Sequence, residues 1–286
     1  MKLARFSLDG SVRCGVVLGD RVVDLSLVAP ELPGEWPDLF ARLAAVRAAS
    51  ERATDQEQHA LVDVTLLAPI ARPPKFLAIG LNYADHVAEG GRKPPEHQIW
   101  FNKQSTCVIG PGEAIQVPRV SDVVDYEGEL GVVIGTRCRH VTADEARDVI
   151  AGYCIVNDVS VRDWQRRSQT MTMGKSFDTH GPLGPWIVTT DEIDDPQNLH
   201  LTTRVNGAVM QDASTGDMVY DIGQQIEHLT QAFTLEPGDV LATGTPSGVG
   251  IYREPPVLLK AGDHVSIEIS GIGVLENPVT DEPEAQ

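Results

Sequence analysis

The chemistry open to this sequence is set by three carboxylates. The stretch Asp125-Tyr126-Glu127-Gly128-Glu129 runs into Leu130-Gly131-Val132-Val133-Ile134-Gly135. An apolar, β-branched run bounded by glycine reads as a strand. Alternation puts Glu127 and Glu129 on one face, about 7 Å apart along the backbone. Paired carboxylates beside an apolar run are hard to keep ionised without a cation. A second apolar run, Tyr153-Cys154-Ile155-Val156, delivers Asp158 at its end. Glu127, Glu129 and Asp158 together make an all-oxygen donor set, which suits Mg²⁺ or Mn²⁺. The alternative is that Glu127 and Glu129 are solvated on the open face of an edge strand. Asp158, Arg162 and Gln165 lie four and three apart, so on a helical turn they share a face. A carboxylate, a guanidinium and an amide together suit an anionic, oxygen-rich ligand.

A second constellation lies upstream. His86 and Glu89 are three apart, so one helical turn brings imidazole and carboxylate together. A carboxylate orients such a histidine and raises its basicity, which makes a general base. The alternative is a surface histidine on a mobile loop. The following Gly90-Gly91-Arg92-Lys93-Pro94-Pro95 is a composition suited to a loop that closes over a ligand. Lys103 reads equally as a solvated lysine or as a structural cation near the site. Lys175 follows a glycine, but the first glycine of a phosphate loop would fall at 169, which is Gln169. A nucleophile elbow is missing too, since Gly244-Thr245-Pro246-Ser247-Gly248 has the wrong spacing. That turn exposes backbone N–H groups, and with Thr245 it could hold a substrate carboxylate or be an ordinary loop.

The strings DYEGELGVVIG, YCIVNDVSVRDWQ, MGKSFDTHGPLGPW, GLNYADH and ATGTPSGVG resemble the fumarylacetoacetate hydrolase family. They follow the family's order and span roughly residues 70 to 280. The resemblance implies metal ligands at Glu127, Glu129 and Asp158, and a His86–Glu89 pair of the acylpyruvase type that forms when a lid closes. It implies that Lys175 faces the metal-bound substrate, that Thr179 supports the metal shell, and that Arg162, Gln165 and Thr245 bind substrate. The implied activity is Mg²⁺-dependent, or Mn²⁺-dependent, hydrolysis of a C–C bond in an acylpyruvate or related 2,4-dioxo acid. Alternatives are oxaloacetate decarboxylation, a hydrolase of 2,4-dioxo-3-deoxy sugar acids, and a non-catalytic metal-binding protein.

Elements must bring these residues together. Residues 1–69 read as a small N-terminal domain: a hairpin through Gly19-Asp20, a proline-rich loop, then a helix capped by Asp38. Its expected role is structural or dimer-supporting. The boundary falls at Pro69 to Pro74, and 70–286 form the catalytic unit. That unit reads as mostly β: strands at Phe76 to Ile79, Ala114 to Val117 and Val240 to Thr243, and a hairpin across Asn206-Gly207. Thr142 and Glu145 make a capping box, and Asp221 caps an amphipathic helix. The fold class is α+β, mostly β, and the resemblance implies a mixed β-sandwich roll that forms a homodimer. The acidic stretch from Thr280 to Gln286 reads as disordered.

Net charge is −18, which argues against nucleic acid and anionic membranes as partners. An anionic substrate therefore needs a local cationic site. The four cysteines are scattered with no paired spacing, against a zinc site or a stapled secreted domain. With no spanning apolar run and no signal-peptide core at the start, the expected compartment is the cytoplasm.

Overall fold

Alternation along the central strands accounts for the layering. The computed structural model describes residues 1–284. In the strand Gly128–Ile134, Leu130, Val132 and Ile134 point into one core while Val133 joins another. Its neighbour Ile150–Asn157 does the same, with Tyr153 and Ile155 on the first side and Cys154 and Val156 on the second. Both faces are covered, so the two strands are buried along their whole length. Gly131 permits their close approach: a Cβ there would sit 2.8 Å from Cys154 Sγ.

These strands are central to a twelve-stranded mixed sheet. Ile150–Asn157 pairs with Gly181–Thr189 on one side, and Gly128–Ile134 pairs with Val240–Ala242 on the other. Val240–Ala242 runs parallel to Phe76–Gly80, and Ile99–Lys103 closes that edge. A five-stranded sheet lies over the first core, built from Ala208–Ser214, His200–Val205, His264–Ile269, Gly273–Asp281 and Ile115–Val117. Leu201, Val265, Ile267 and Leu275 supply its inner face. The expected mostly β sandwich roll is present. The Asn206-Gly207 turn has φ of 53° and 81°, the positive values a type I′ turn demands. Asp221 caps the helix Ile222–Ala232 through its side chain to Gln224 N.

Residues 1–69 do not stand apart from this frame. Lys2 and Leu3 pair with Val188 and Ile187, so the N-terminal strands extend the large sheet. Trp36, fully buried, packs in the second core with Val133, Cys154 and Val156, and its indole donates to Ala4 O. Asp38 lies within the first turn of the helix Trp36–Leu39, whose N-cap is Glu35, and a 3₁₀ turn separates it from Leu43–Ser50. The expected single capped helix is thus two. Thr280 and Asp281, expected to be disordered, end the strand Gly273–Asp281 and pair with Gln116 and Val117. Of that expected tail, 285–286 lie outside the described residues. All four cysteines are buried and free. Among the described residues no helix is long and apolar enough to cross a membrane.

Candidate metal centre and active site

Register places the acids. Gly128 lies opposite Asn157, so Glu127 and Asp158 sit side by side where the two central strands end. Asp158 N donates to Glu127 O at 2.9 Å, and Glu127 N donates to Asn157 Oδ1 at 3.1 Å. One oxygen each from Glu127, Glu129 and Asp158 lies within 4.8 Å of the others, and all three residues are buried. Gly128 leaves room for this corner, because a Cβ there would meet Thr203 Oγ1 at 2.2 Å.

Three cations and a fourth acid surround the cluster. Lys175 Nζ bridges Glu127 Oε2 and Asp158 Oδ2, each at 2.6 Å. Lys103 Nζ reaches Asp158 Oδ1 at 2.7 Å. Arg162 meets Glu127 Oε1 through Nη1 at 2.7 Å and Asp125 Oδ2 through Nε at 2.8 Å. Asp125 also accepts from Gly250 N and Ile251 N, which ties the guanidinium to a neighbouring loop. Burial alone would raise the Glu127 carboxyl, but Arg162 and Lys175 outweigh it and hold it well below the usual range. Burial alone would lower Lys175, but Asp158 and Glu127 raise it.

Glu129 differs. It makes no ion pair among the described residues, and its Oε2 accepts from Gly244 N at 2.8 Å. Burial first, then Asp158 and Glu127, push its carboxyl well above the ordinary value. The buried set therefore has four acids, Asp125, Glu127, Glu129 and Asp158, against three bases, Lys103, Arg162 and Lys175. An added divalent cation would more than offset that single excess negative charge, and a hard oxygen donor set is the set Mg²⁺ or Mn²⁺ takes. The residues present fit such an ion.

The cluster opens on a cavity of about 420 Å³. His86, Glu127, Glu129, Arg162, Gln165, Lys175 and Thr245 all line it, with Phe101, Ile251 and Tyr252 among the apolar wall. Glu89 stands behind His86, its Oε1 2.7 Å from His86 Nδ1 on the helix Ala84–Glu89. Arg162 Nη2 is buried without a hydrogen-bond partner, a donor free for a ligand oxygen.

Some local expectations change. Asp158, Arg162 and Gln165 do not share a helix, since Ser160–Val161 is a strand and the helix begins at Arg162. They converge because Arg162 and Lys175 bridge to the same Glu127. Gln165 Oε1 accepts from Arg162 Nη1 at 3.1 Å. The Thr245 hydroxyl donates to Gly128 O and accepts from Gln211 Nε2, so it holds the acidic strand in place. Thr179 Oγ1 accepts from Gln116 N. Lys103, ambiguous in the sequence, is buried on Asp158. Asp125 has no role among the sequence expectations, yet it pairs with Arg162. Its signal was the period of two, which places it on the face of Glu127 and Glu129.

Residues 75–280 match the family model for the fumarylacetoacetate (FAA) hydrolase C-terminal region, and residues 1–69 match an Rv2993c-like N-terminal model. A Xenopus laevis protein named as a mitochondrial oxaloacetate tautomerase is 41% identical, over 98% of this chain and 90% of its own length. A maleylpyruvate hydrolase from Sphingobium sp. SYK-6, solved with manganese(II) and pyruvate, is 33% identical with a TM-score of 0.83. A 5-carboxymethyl-2-hydroxymuconate delta-isomerase from Mycobacterium smegmatis is 39% identical with a TM-score of 0.80. Both structures cover 99% of this chain and 100% of their own.

Proposed function

The chain belongs to the fumarylacetoacetate hydrolase family, and from that premise we propose that it is a divalent-metal-dependent hydrolase that cleaves a C–C bond in an acylpyruvate or related 2,4-dioxo acid. One observation carries the reading. His86, backed by Glu89, lines the same cavity as Glu127 and Glu129, which cluster with Asp158. Glu127, Glu129 and Asp158 would hold Mg²⁺ or Mn²⁺. The ion supplies Lewis acidity to a 2-oxo group and stabilises negative charge developing on its oxygen.

The chain's own residues do the rest. Arg162, through its free Nη2, and Gln165 bind the substrate's carboxylate end. Glu89 holds the Nδ1 side of His86, which leaves Nε2 as the basic nitrogen for a water O–H. The resulting hydroxide adds to the distal carbonyl, and the bond between that carbonyl carbon and C3 breaks. C3 then takes a proton, and the products are a carboxylic acid and pyruvate. Lys175, a buried ammonium lining the cavity, favours the enolate leaving group electrostatically. Phe101, Ile251 and Tyr252 limit bulk water there.

A second reading is keto–enol tautomerisation of a 2-oxo diacid, favoured by the name of the Xenopus relative. It uses the same enolate but needs no water, only a base that removes a proton from C3 and a route for proton return. The deciding experiment is a panel of acylpyruvates, dioxo sugar acids and oxaloacetate assayed with Mg²⁺. Carboxylic acid plus pyruvate supports hydrolysis. Enol–keto interconversion without cleavage supports the tautomerase. CO₂ plus pyruvate from oxaloacetate alone would replace both with a decarboxylase. Cytoplasmic homodimers complete the proposal, and sedimentation equilibrium at about twice the 30.9 kDa chain mass would support the dimer.

A further inference from the structure

The His86 helix is held by more than its own turn. Asn82, fully buried, fixes its approach: Nδ2 donates to Thr243 O at 2.8 Å and to Tyr220 O at 3.0 Å. At the other end, Gly91 has φ +64° and starts the polar loop. Between these points the helix makes two carboxylate contacts with the turn after Thr245. Glu89 Oε2 accepts from Gly248 N at 2.9 Å. Asp85 Oδ2 accepts from Ser247 Oγ at 2.5 Å and from Ser247 N at 3.3 Å. Asp85 Oδ1 accepts from His86 N at 2.7 Å.

That turn is itself rigidly joined to the acidic strands. Gly244 N is on Glu129, and Thr245 is on Gly128 O. Gly248 O accepts from Tyr126 Oη at 3.1 Å and from Arg253 Nε at 3.2 Å. Gly248 has φ +100°, and a Cβ there would meet Met210 O at 2.1 Å, so the turn is closely packed. The route from Glu129 to His86 is then Gly244, Ser247, Asp85 and the helix backbone.

We infer that Asp85 and Ser247 form a latch that positions His86 over the cluster, resting on the reading of His86 as the base. Glu89 sets the ring's tautomer and holds the end of the helix to Gly248 N, while the latch holds its start, next to His86. Asp85, which is exposed, and Ser247, which is half-buried, thereby control how the base meets its substrate, although neither lines the cavity. A misplacement of about 1 Å costs on the order of 10²-fold in rate.

The test uses Asp85→Ala, Ser247→Ala and the double variant, with His86→Ala as reference. Asp85→Ala is expected to lower kcat about 10- to 100-fold, with KM and Mn²⁺ affinity within about twofold of wild type. The double variant matches Asp85→Ala alone, and Ser247→Thr, which keeps the hydroxyl, restores most of what Ser247→Ala loses. Hydrogen exchange of the amides of residues 86–90 is measured without substrate and speeds up in Asp85→Ala. If His86→Ala is inactive and Asp85→Ala has wild-type kcat, the latch is overturned. Multiplicative losses in the double variant would also overturn it. A wild-type protein inactive on every substrate would count against His86 as the base, and the exchange data would then decide the latch alone, unchanged protection refuting it.

Discussion

Each acid of the cluster has a distinct electrostatic position. Glu127 and Asp158 are paired with cations, whereas Glu129 is not. Glu127→Ala, Glu129→Ala and Asp158→Ala should each lose divalent-ion binding, read by titration calorimetry with Mn²⁺. Undiminished affinity in any one of them removes that residue from the ligand set. His86→Ala should keep the ion and lose about 10²- to 10⁴-fold in cleavage. A rate within severalfold of wild type would take His86 out of the mechanism. His180 tests the acid limb of stability. Burial pushes its imidazole down to about 4, its Nε2 donates to Gln116 O, and Nδ1 has no partner. A depressed base is neutral when folded, so its contribution is present above the ordinary value near 6.5 and fades as pH falls towards 4. Denaturant melts at pH 7 and pH 4 should differ by on the order of 3 kcal/mol from this group. A His180→Asn variant with the same pH dependence as wild type would refute the assignment.

Elements transmit these positions through close contacts. The corner at Gly128 is one example, since it separates two acids by a residue that cannot carry a side chain. Gly128→Ala should cost about 1–3 kcal/mol by overpacking and weaken Mn²⁺ binding, because Thr203 and the strand cannot both stay in place. A variant with wild-type melting and affinity would show that the corner yields. The short strand at Ser160–Val161 has a similar role. By pairing with Val124–Asp125 it turns the chain after Asp158, so that Arg162 returns to Asp125 and Glu127.

Across the molecule, the N-terminal strands and the site share one sheet. The strand carrying Asp158 at its end packs its back against Trp36 and its front against the five-stranded sheet. Trp36→Ala should therefore destabilise by about 3–5 kcal/mol, although the residue touches no part of the cavity. Removing residues 1–69 would uncover Cys154, Val156 and Ile187 and free the edge of Gly181–Thr189. That truncation should aggregate or lose Mn²⁺ affinity, checked by light scattering and calorimetry. A monodisperse fragment with wild-type affinity would show the catalytic unit to be self-sufficient.

The sequence by itself determined what repeats locally. Apolar runs announced both acidic strands, alternation put Glu127 and Glu129 on one face, Asn-Gly announced the hairpin, and capping residues announced the helix after Asp221, because each depends on neighbours a few positions away. The His86–Glu89 contact is of this kind too, one turn of one helix. Tertiary structure decided the rest. Lys103 lies 55 positions from Asp158 and reads as an ordinary lysine until the sheet buries it. Asp125 and Arg162 pair across 37 positions, and no helix joins Arg162 to Asp158. Thr280 and Asp281 look solvated in a run of acids, yet pair with a strand more than 160 residues earlier. Burial and long-range pairing set the charge state of Glu129 and the partners of Asp158, and neither can be read from spacing, since both depend on which distant segments the fold brings alongside.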